Sequence, residues 1–414
     1  MLLDVTPLRK YRDFRLLFLG QVISFLGSMI TYVAVPYQVY ELTQSNMMVG
    51  LLGTVQLVPV LIFGLIGGSV ADAMDRRKLL LISEALMSLG SLGLVINAAL
   101  PQPSLVFIFV IAAFMQTVNG FHRPAMDAAT QKLVQVEDLP SVSALGSLRY
   151  SVGSVAGPAL GGILIAVAGA KVAYLVDVLS FGVSLVLLWM MRQVPPAEGG
   201  HAPGIKSIYE GLSYAVKRPE LVGTYVVDIV AMAFAFSTAL FPAMAQEWGG
   251  AAAAGALFSA MSVGSLVMTA RSGWTKQVSR RGAAVVVAAA IWGVAMVAFG
   301  YAPNLPLALF FLGLAGAADM VSGLFRGVIW NETIPNHMRG RMAGIEMISY
   351  MSGPLIGNAR AGWVATLTTT QISVVSGGVL CVVGVVLCGF LLPAFWRYRS
   401  VAVEASASLG EGNS

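Results

Sequence analysis

Twelve apolar runs, each long enough to cross a bilayer, fill nearly the whole of this chain. A chain built this way must satisfy its backbone hydrogen bonds inside hydrocarbon, which leaves helices or a closed barrel. A helix rises ~1.5 Å per residue and a bilayer core is ~30 Å thick, so about 20 apolar residues make one crossing. Runs of that length point to helices, with crossings at 14–39, 47–71, 79–100, 104–126, 139–168, 172–191, 221–246, 251–270, 283–301, 305–330, 342–366 and 372–395. Charged residues make up only 11% of the chain, against about 25% in an ordinary soluble domain. The expected fold class is therefore all-α and polytopic.

Orientation follows from Lys and Arg, because cytoplasmic loops keep the positive charge. Of the 25 such residues, 20 fall on one side of the predicted crossings, in groups such as Arg9 to Arg15, Arg76 to Lys78 and Arg271 to Arg281. The opposite loops hold Lys171. Both termini are expected in the cytoplasm, in the plasma membrane of a bacterium, and the net charge of +5 reads as a topology signal without a nucleic-acid footprint. The first run is too long for a secretory core and is read as a retained helix. Cys381 and Cys388 lie seven apart on one expected helix, too far along its axis to bridge. The histidines His122, His201 and His337 have no metal-ligand spacing, so neither a metal nor a cofactor is expected.

The stretch from Gln193 to Pro219 carries Pro195, Pro196, Gly199, Gly200, Pro203 and Gly204 and interrupts the hydrophobic pattern at midpoint. It divides the chain into a six-helix bundle at 1–192, a cytoplasmic linker at 193–219, a second bundle at 220–396 and a tail at 397–414. Internal matches support the division. Arg12, Pro36 and Glu41 recur 206 positions later as Arg218, Pro242 and Glu247. Gly120, Arg123 and Thr130 recur 203 positions later as Gly323, Arg326 and Thr333, and Gly157, Pro158 and Gly161 recur as Gly353, Pro354 and Gly357. Two pseudo-symmetric bundles with a site at the midplane are the plan of one large transporter class.

After the second crossing the chain reads GSVADAMDRRK, Gly68 to Lys78. In the fifth it reads GSVAGPALGG, Gly153 to Gly162, where small residues four apart let helices meet backbone to backbone and Pro158 frees a carbonyl. The first string resembles the loop motif of the major facilitator superfamily, departing from it at Ala73 and Asp75. The second resembles the motif of that superfamily's exporters. Within it, VAVPYQVYELTQS, DAMDRRK and NAALPQPSL resemble the enterobactin exporter group and its drug-efflux relatives. The resemblance spans 7–395 and implies the major facilitator fold of twelve helices, with export driven by protons entering in exchange. It also implies a cytoplasmic gate that carries over to Asp72 and Arg76, with Gly68 and Arg77 of the same string, and an antiporter-type motif at Gly153, Gly157, Pro158, Gly161 and Gly162. Asp127, read as a static pair with Arg123 or Arg76 at the cytoplasmic ends, is placed with the gate. The plain alternatives are topology charges for the basic cluster and ordinary glycine packing for the fifth helix.

Ionisable groups inside hydrocarbon cost ~2.5 to 3.5 kcal/mol each on insertion scales, so each is a functional candidate. Asp228, Asp319 and Glu346 are the proton-coupling candidates. Arg149, Arg360, Gln21 and Gln38 are the substrate candidates, with snorkelling to the headgroups as the alternative for Arg360. The expected cargo is a small amphipathic or anionic organic molecule, a siderophore or a drug, carried by a monomer in contact with lipid. A facilitator or importer of a nutrient is the second reading. An enzyme is disfavoured, because no nucleophile elbow, His cluster or phosphate loop is present.

Overall fold

The structure, a computed structural model, describes residues 4–195, 205–335 and 338–399. The middle of the expected linker, with His201, most of the expected tail, and His337 lie outside the described residues. Helices α1 (Thr6–Lys10), α2 (Arg12–Thr43), α3 (Asn46–Ala73), α4 (Arg76–Ala99), α5 (Leu105–Leu133) and α6 (Leu139–Trp189) form the first half. The second half holds α7 (Ile205–Val216), α8 (Pro219–Ala235), α9 (Phe241–Glu247), α10 (Ala251–Ala270), α11 (Arg281–Gly300), α12 (Leu305–Thr333), α13 (Arg339–Leu367), α14 (Thr370–Leu391) and α15 (Pro393–Trp396). Among the described residues, ten stretches are long and apolar enough to cross a membrane. One of them contains both the fifth and sixth expected crossings, and α13 adds a further long helix, so twelve crossings are accommodated.

Short polar residues set the helix starts. Ser45, Asp75, Ser104, Asn304 and Thr369 each accept a backbone N–H three residues on, which satisfies an otherwise orphaned donor. The loop between α4 and α5 is clamped from both directions: Asn97 donates to Ser104 O at 3.2 Å and accepts from Ser104 N at 2.9 Å. At the N-terminus, Asp4 accepts from Thr6 N at 2.9 Å and from Ser141 Oγ at 2.8 Å. Those bonds, with Thr6 foremost, hold its carboxyl below the usual carboxylate range.

Three features go beyond the expected crossings. The fifth and sixth are one continuous helical run, α6, broken only at Gly169, whose φ of 80° and ψ of 168° suit glycine. The seventh is not continuous: α8 stops at Ala235, a tight turn covers Thr238–Leu240, and α9 follows. Backbone groups freed at such a break need partners inside a membrane, and α13 supplies them. Asn358 Oδ1 accepts from Ala239 N at 2.9 Å and Thr238 Oγ1 at 3.1 Å, and Arg360 Nη1 donates to Phe234 O at 3.1 Å. Within the expected linker lies α7, tied by Tyr214 Oη donating to Thr333 O at 2.8 Å.

Chain contacts group into two compact units. The first comprises Met1–Gly204 with Phe241–Ser259, and the second Ile205–Leu240 with Ala260–Ser414. Inside each unit the same packing recurs. In the first, a Cβ added at Gly157 of α6 would lie 2.3 Å from Met29 Cβ on α2; in the second, one added at Gly353 of α13 would lie 2.8 Å from Met232 Cβ on α8. Glycine also allows α3 to meet α5 in the first unit, at Gly67 and Gly120, and α10 to meet α12 in the second, at Gly264 and Gly313.

Candidate functional site

Among the described residues, three clusters form around acids buried in the spans, and two of the expected proton-coupling acids meet in one of them. In the second unit, Asp228 of α8 pairs with Arg326 Nη1 of α12 at 2.6 Å, both side chains being less than a tenth exposed. Asp319, two turns earlier on α12, stands 3.9 Å from Arg326 Nη2 with 38% of its side chain exposed. Two carboxylates therefore share one guanidinium unequally. Asp228 Oδ2 and Arg326 Nε have no hydrogen-bond partner among the described residues, so the pair is close but not saturated. Glu346, half-buried on α13, lies near Tyr225 of α8 and takes no part in these two ion pairs.

In the first unit, Glu84 of α4 is fully buried and collects side chains from two other helices. Gln21 Nε2 of α2 donates to Glu84 Oε1 at 2.5 Å, and His122 Nε2 of α5 lies 3.3 Å from the same oxygen. Arg149 of α6 donates to Gln21 Oε1 at 3.4 Å and lies over the Phe25 ring, 5.6 Å from its centroid. Asp127, on α5, lies in the field of Arg123, Arg149 and His122. The second cluster of this unit is Asp177 of α6, which accepts from Thr31 Oγ1 and Ser91 Oγ, each at 2.7 Å and both on Oδ2. Its Oδ1 has no partner among the described residues.

The remaining expected residues have more local partners. Gln38 accepts from Tyr174 Oη at 2.8 Å. Arg360 adds bonds to Ser373 O at 2.9 Å and Ser376 Oγ at 2.8 Å to the one that dresses the broken α8, so its fork is spent on neighbouring helix ends. Arg76 Nη1 reaches Pro195 O at 2.6 Å, and Arg77 donates to Leu188 O and Trp189 O at the C-terminus of α6. Those contacts complement the negative end of that helix. Of the gate, the Asp72 side chain lies outside the described residues. A Cβ at Gly68 would meet nothing within 4 Å, and the tight approach falls one residue earlier, at Gly67.

The fifth-helix glycines all lie at close contacts. Cβ atoms added at Gly153 and Gly161 would meet the Phe25 ring at 2.3 Å and Ile30 Cα at 3.1 Å. One at Gly162 would lie 2.7 Å from Gly255 Cα, and Pro158 O would lie 2.5 Å from one at Gly255. Sequence reasoning passed over His122 and gave Arg326 no role beyond a repeat match. The available signal was an ionisable residue inside an apolar run; what it met could not be read along the chain.

Known proteins place this architecture. Residues 4–408 match a family model described as transmembrane secretion effector. The chain is 29% identical over 412 residues to the enterobactin exporter EntS of Escherichia coli O157:H7, covering 99% of each chain. It is 29% identical over 409 residues to the protein of that name from Shigella flexneri, covering 98% of each. Among solved structures it resembles a point mutant of the nucleoside transporter NupG, with a TM-score of 0.72 at 11% identity, covering 92% of this chain and 99% of that one. With the family matched over nearly the full length and the helical fold shared, the chain belongs to the transmembrane secretion effector family of the major facilitator superfamily, multi-pass membrane transporters and not enzymes.

Proposed function

We propose that this transporter exports a small hydroxyl-bearing siderophore in exchange for protons, and that proton and cargo compete for Asp319. The observation carrying this reading is the unequal sharing of Arg326, with Asp228 at 2.6 Å and the partly exposed Asp319 at 3.9 Å. When both acids are ionised the cluster holds one net negative charge, which is costly at membrane depth. A proton on Asp319 cancels it, and Asp319 is the member with exposed surface.

The direction of coupling depends on which group holds the cargo. A cargo anion on Arg326 would bind better once protonation loosened the guanidinium, so proton and cargo would travel together. A cargo hydroxyl donating to ionised Asp319 exchanges a charged acceptor for a weaker neutral one on protonation, so proton and cargo each weaken the other's binding and travel in opposite directions. Export driven by entering protons requires the second arrangement. Catechol hydroxyls are donors of this kind, and the similar proteins of E. coli and Shigella are named for enterobactin export. The early stop of α8, the helix that carries Asp228, is a further support, because broken helices commonly form transporter sites.

In this reading Gln21, Arg149 and His122 line the cargo path in the first unit, while Arg76, Arg77 and Asp127 belong to a cytoplasmic gate. The protein works as a monomer in the bacterial inner membrane by alternating access, with both termini in the cytoplasm. Uptake into inverted vesicles, run with catecholate siderophores, dyes and antibiotics with and without a pH gradient, tests the proposal. The gradient is expected to accelerate catecholate movement in the wild type, whereas in Asp319→Asn, which lacks the charged acceptor, movement is expected to be slower and insensitive to the gradient. Unchanged gradient-driven uptake in Asp319→Asn would overturn it.

A further inference from the structure

At one end of the second unit, where α11 begins and α14 ends, Arg280, Arg397 and Arg399 line a cavity of about 290 Å³ together with Trp396. The fold builds this cavity on a fixed frame. Arg280 and Arg399 face each other across an antiparallel backbone bridge. Phe395 is fully buried over two glycines: a Cβ at Gly223 would lie 2.1 Å from its ring, and one at Gly282 would run into its carbonyl oxygen. The Trp396 indole rests on Gly389 of α14, 3.2 Å from where a Cβ would stand.

Charge at this site is not balanced locally. The neighbouring Arg281 is paired with Glu332, which also accepts from Tyr398 Oη at 3.1 Å. Arg280, Arg397 and Arg399 have no ion-pair partner among the described residues. Three arginines lining one concave space, with no counter-charge among the described residues, repel one another, and a bound anion relieves that repulsion. Planar forks match the oxygens of a phosphate, which can take two parallel N–H bonds from each.

We propose that this cavity binds a phosphate-bearing anion, either the headgroup of an anionic phospholipid or free phosphate. Its position favours the headgroup. Phe390 and Leu391, 78% and 76% exposed at the end of α14, offer acyl chains an apolar surface next to the arginines. Basic pockets at the ends of membrane helices recognise anionic lipid in this way.

The full-length protein in detergent is titrated with phosphatidylglycerol, with phosphatidylcholine and with inorganic phosphate. Retained lipid is read by native mass spectrometry and phosphate by calorimetry. Selective retention of phosphatidylglycerol assigns the headgroup, and saturable phosphate binding without lipid selectivity assigns the free anion. In either case Arg280→Gln and the pair Arg397→Gln, Arg399→Gln should weaken binding about fivefold per arginine removed. Arg397→Lys with Arg399→Lys should lose less. Equal retention of the two lipids with no phosphate binding in the wild type overturns the proposal, as does wild-type affinity in the glutamine variants.

Discussion

Replacing Arg326 by leucine is expected to destabilise the protein by about 3 to 5 kcal/mol, the cost of removing one partner from a buried ion pair. Asp228 is 4% exposed and would be left in the membrane interior with no compensating charge. Asp319 would lose its nearest cation as well, since it lies 3.9 Å from the same guanidinium. Thermal unfolding in detergent measures the loss. Because the penalty comes from stranded carboxylates, adding Asp228→Asn to Arg326→Leu should recover much of the stability. A single Arg326→Leu variant as stable as wild type would show that water or lipid compensates the acids, contrary to the geometry described above.

Gly67→Val should destabilise the first unit by about 1 to 3 kcal/mol, the range for overpacking a well-filled interior. A Cβ at Gly67 would run into Gly120 O, a backbone atom that cannot swing aside, so α3 and α5 would be forced apart along their crossing. Gly68→Ala, one residue on and belonging to the string that carries the superfamily resemblance, should be close to neutral for stability, because its Cβ would enter open space. The contrast is read from melting temperatures of the two variants side by side. Equal losses would contradict the α3 to α5 contact as the origin of the cost, since either substitution in a helix interior raises helix propensity.

Length and hydropathy made the spans legible, because membrane helices must present apolar surface for ~30 Å whatever they pack against. The repeat was legible in a stronger sense. Gly157 and Gly353, matched by sequence alone, are seated on Met29 of α2 and Met232 of α8, helices that the 206-residue repeat also matches. Other features depend on contacts that hydropathy does not encode. The break after Ala235 is held by Asn358 and Arg360, more than 100 positions away. Pro242 lies in the same run, but its match Pro36 sits inside an unbroken α2, so proline alone did not announce the stop. Asp228 and Asp319 were each visible as acids in hydrocarbon, yet their shared arginine depends on how α8 and α12 turn about their axes. His122 has no histidine partner in sequence and meets Glu84 only in three dimensions.

Proton release on cargo binding tests competition at Asp319 most directly. A catecholate siderophore is added to the purified transporter in weakly buffered detergent solution, at a pH where Asp319 is partly protonated, and a pH indicator records the change. Proton release is expected from the wild type and its loss from Asp319→Asn. Proton uptake by the wild type, or release that persists undiminished in Asp319→Asn, would contradict the account.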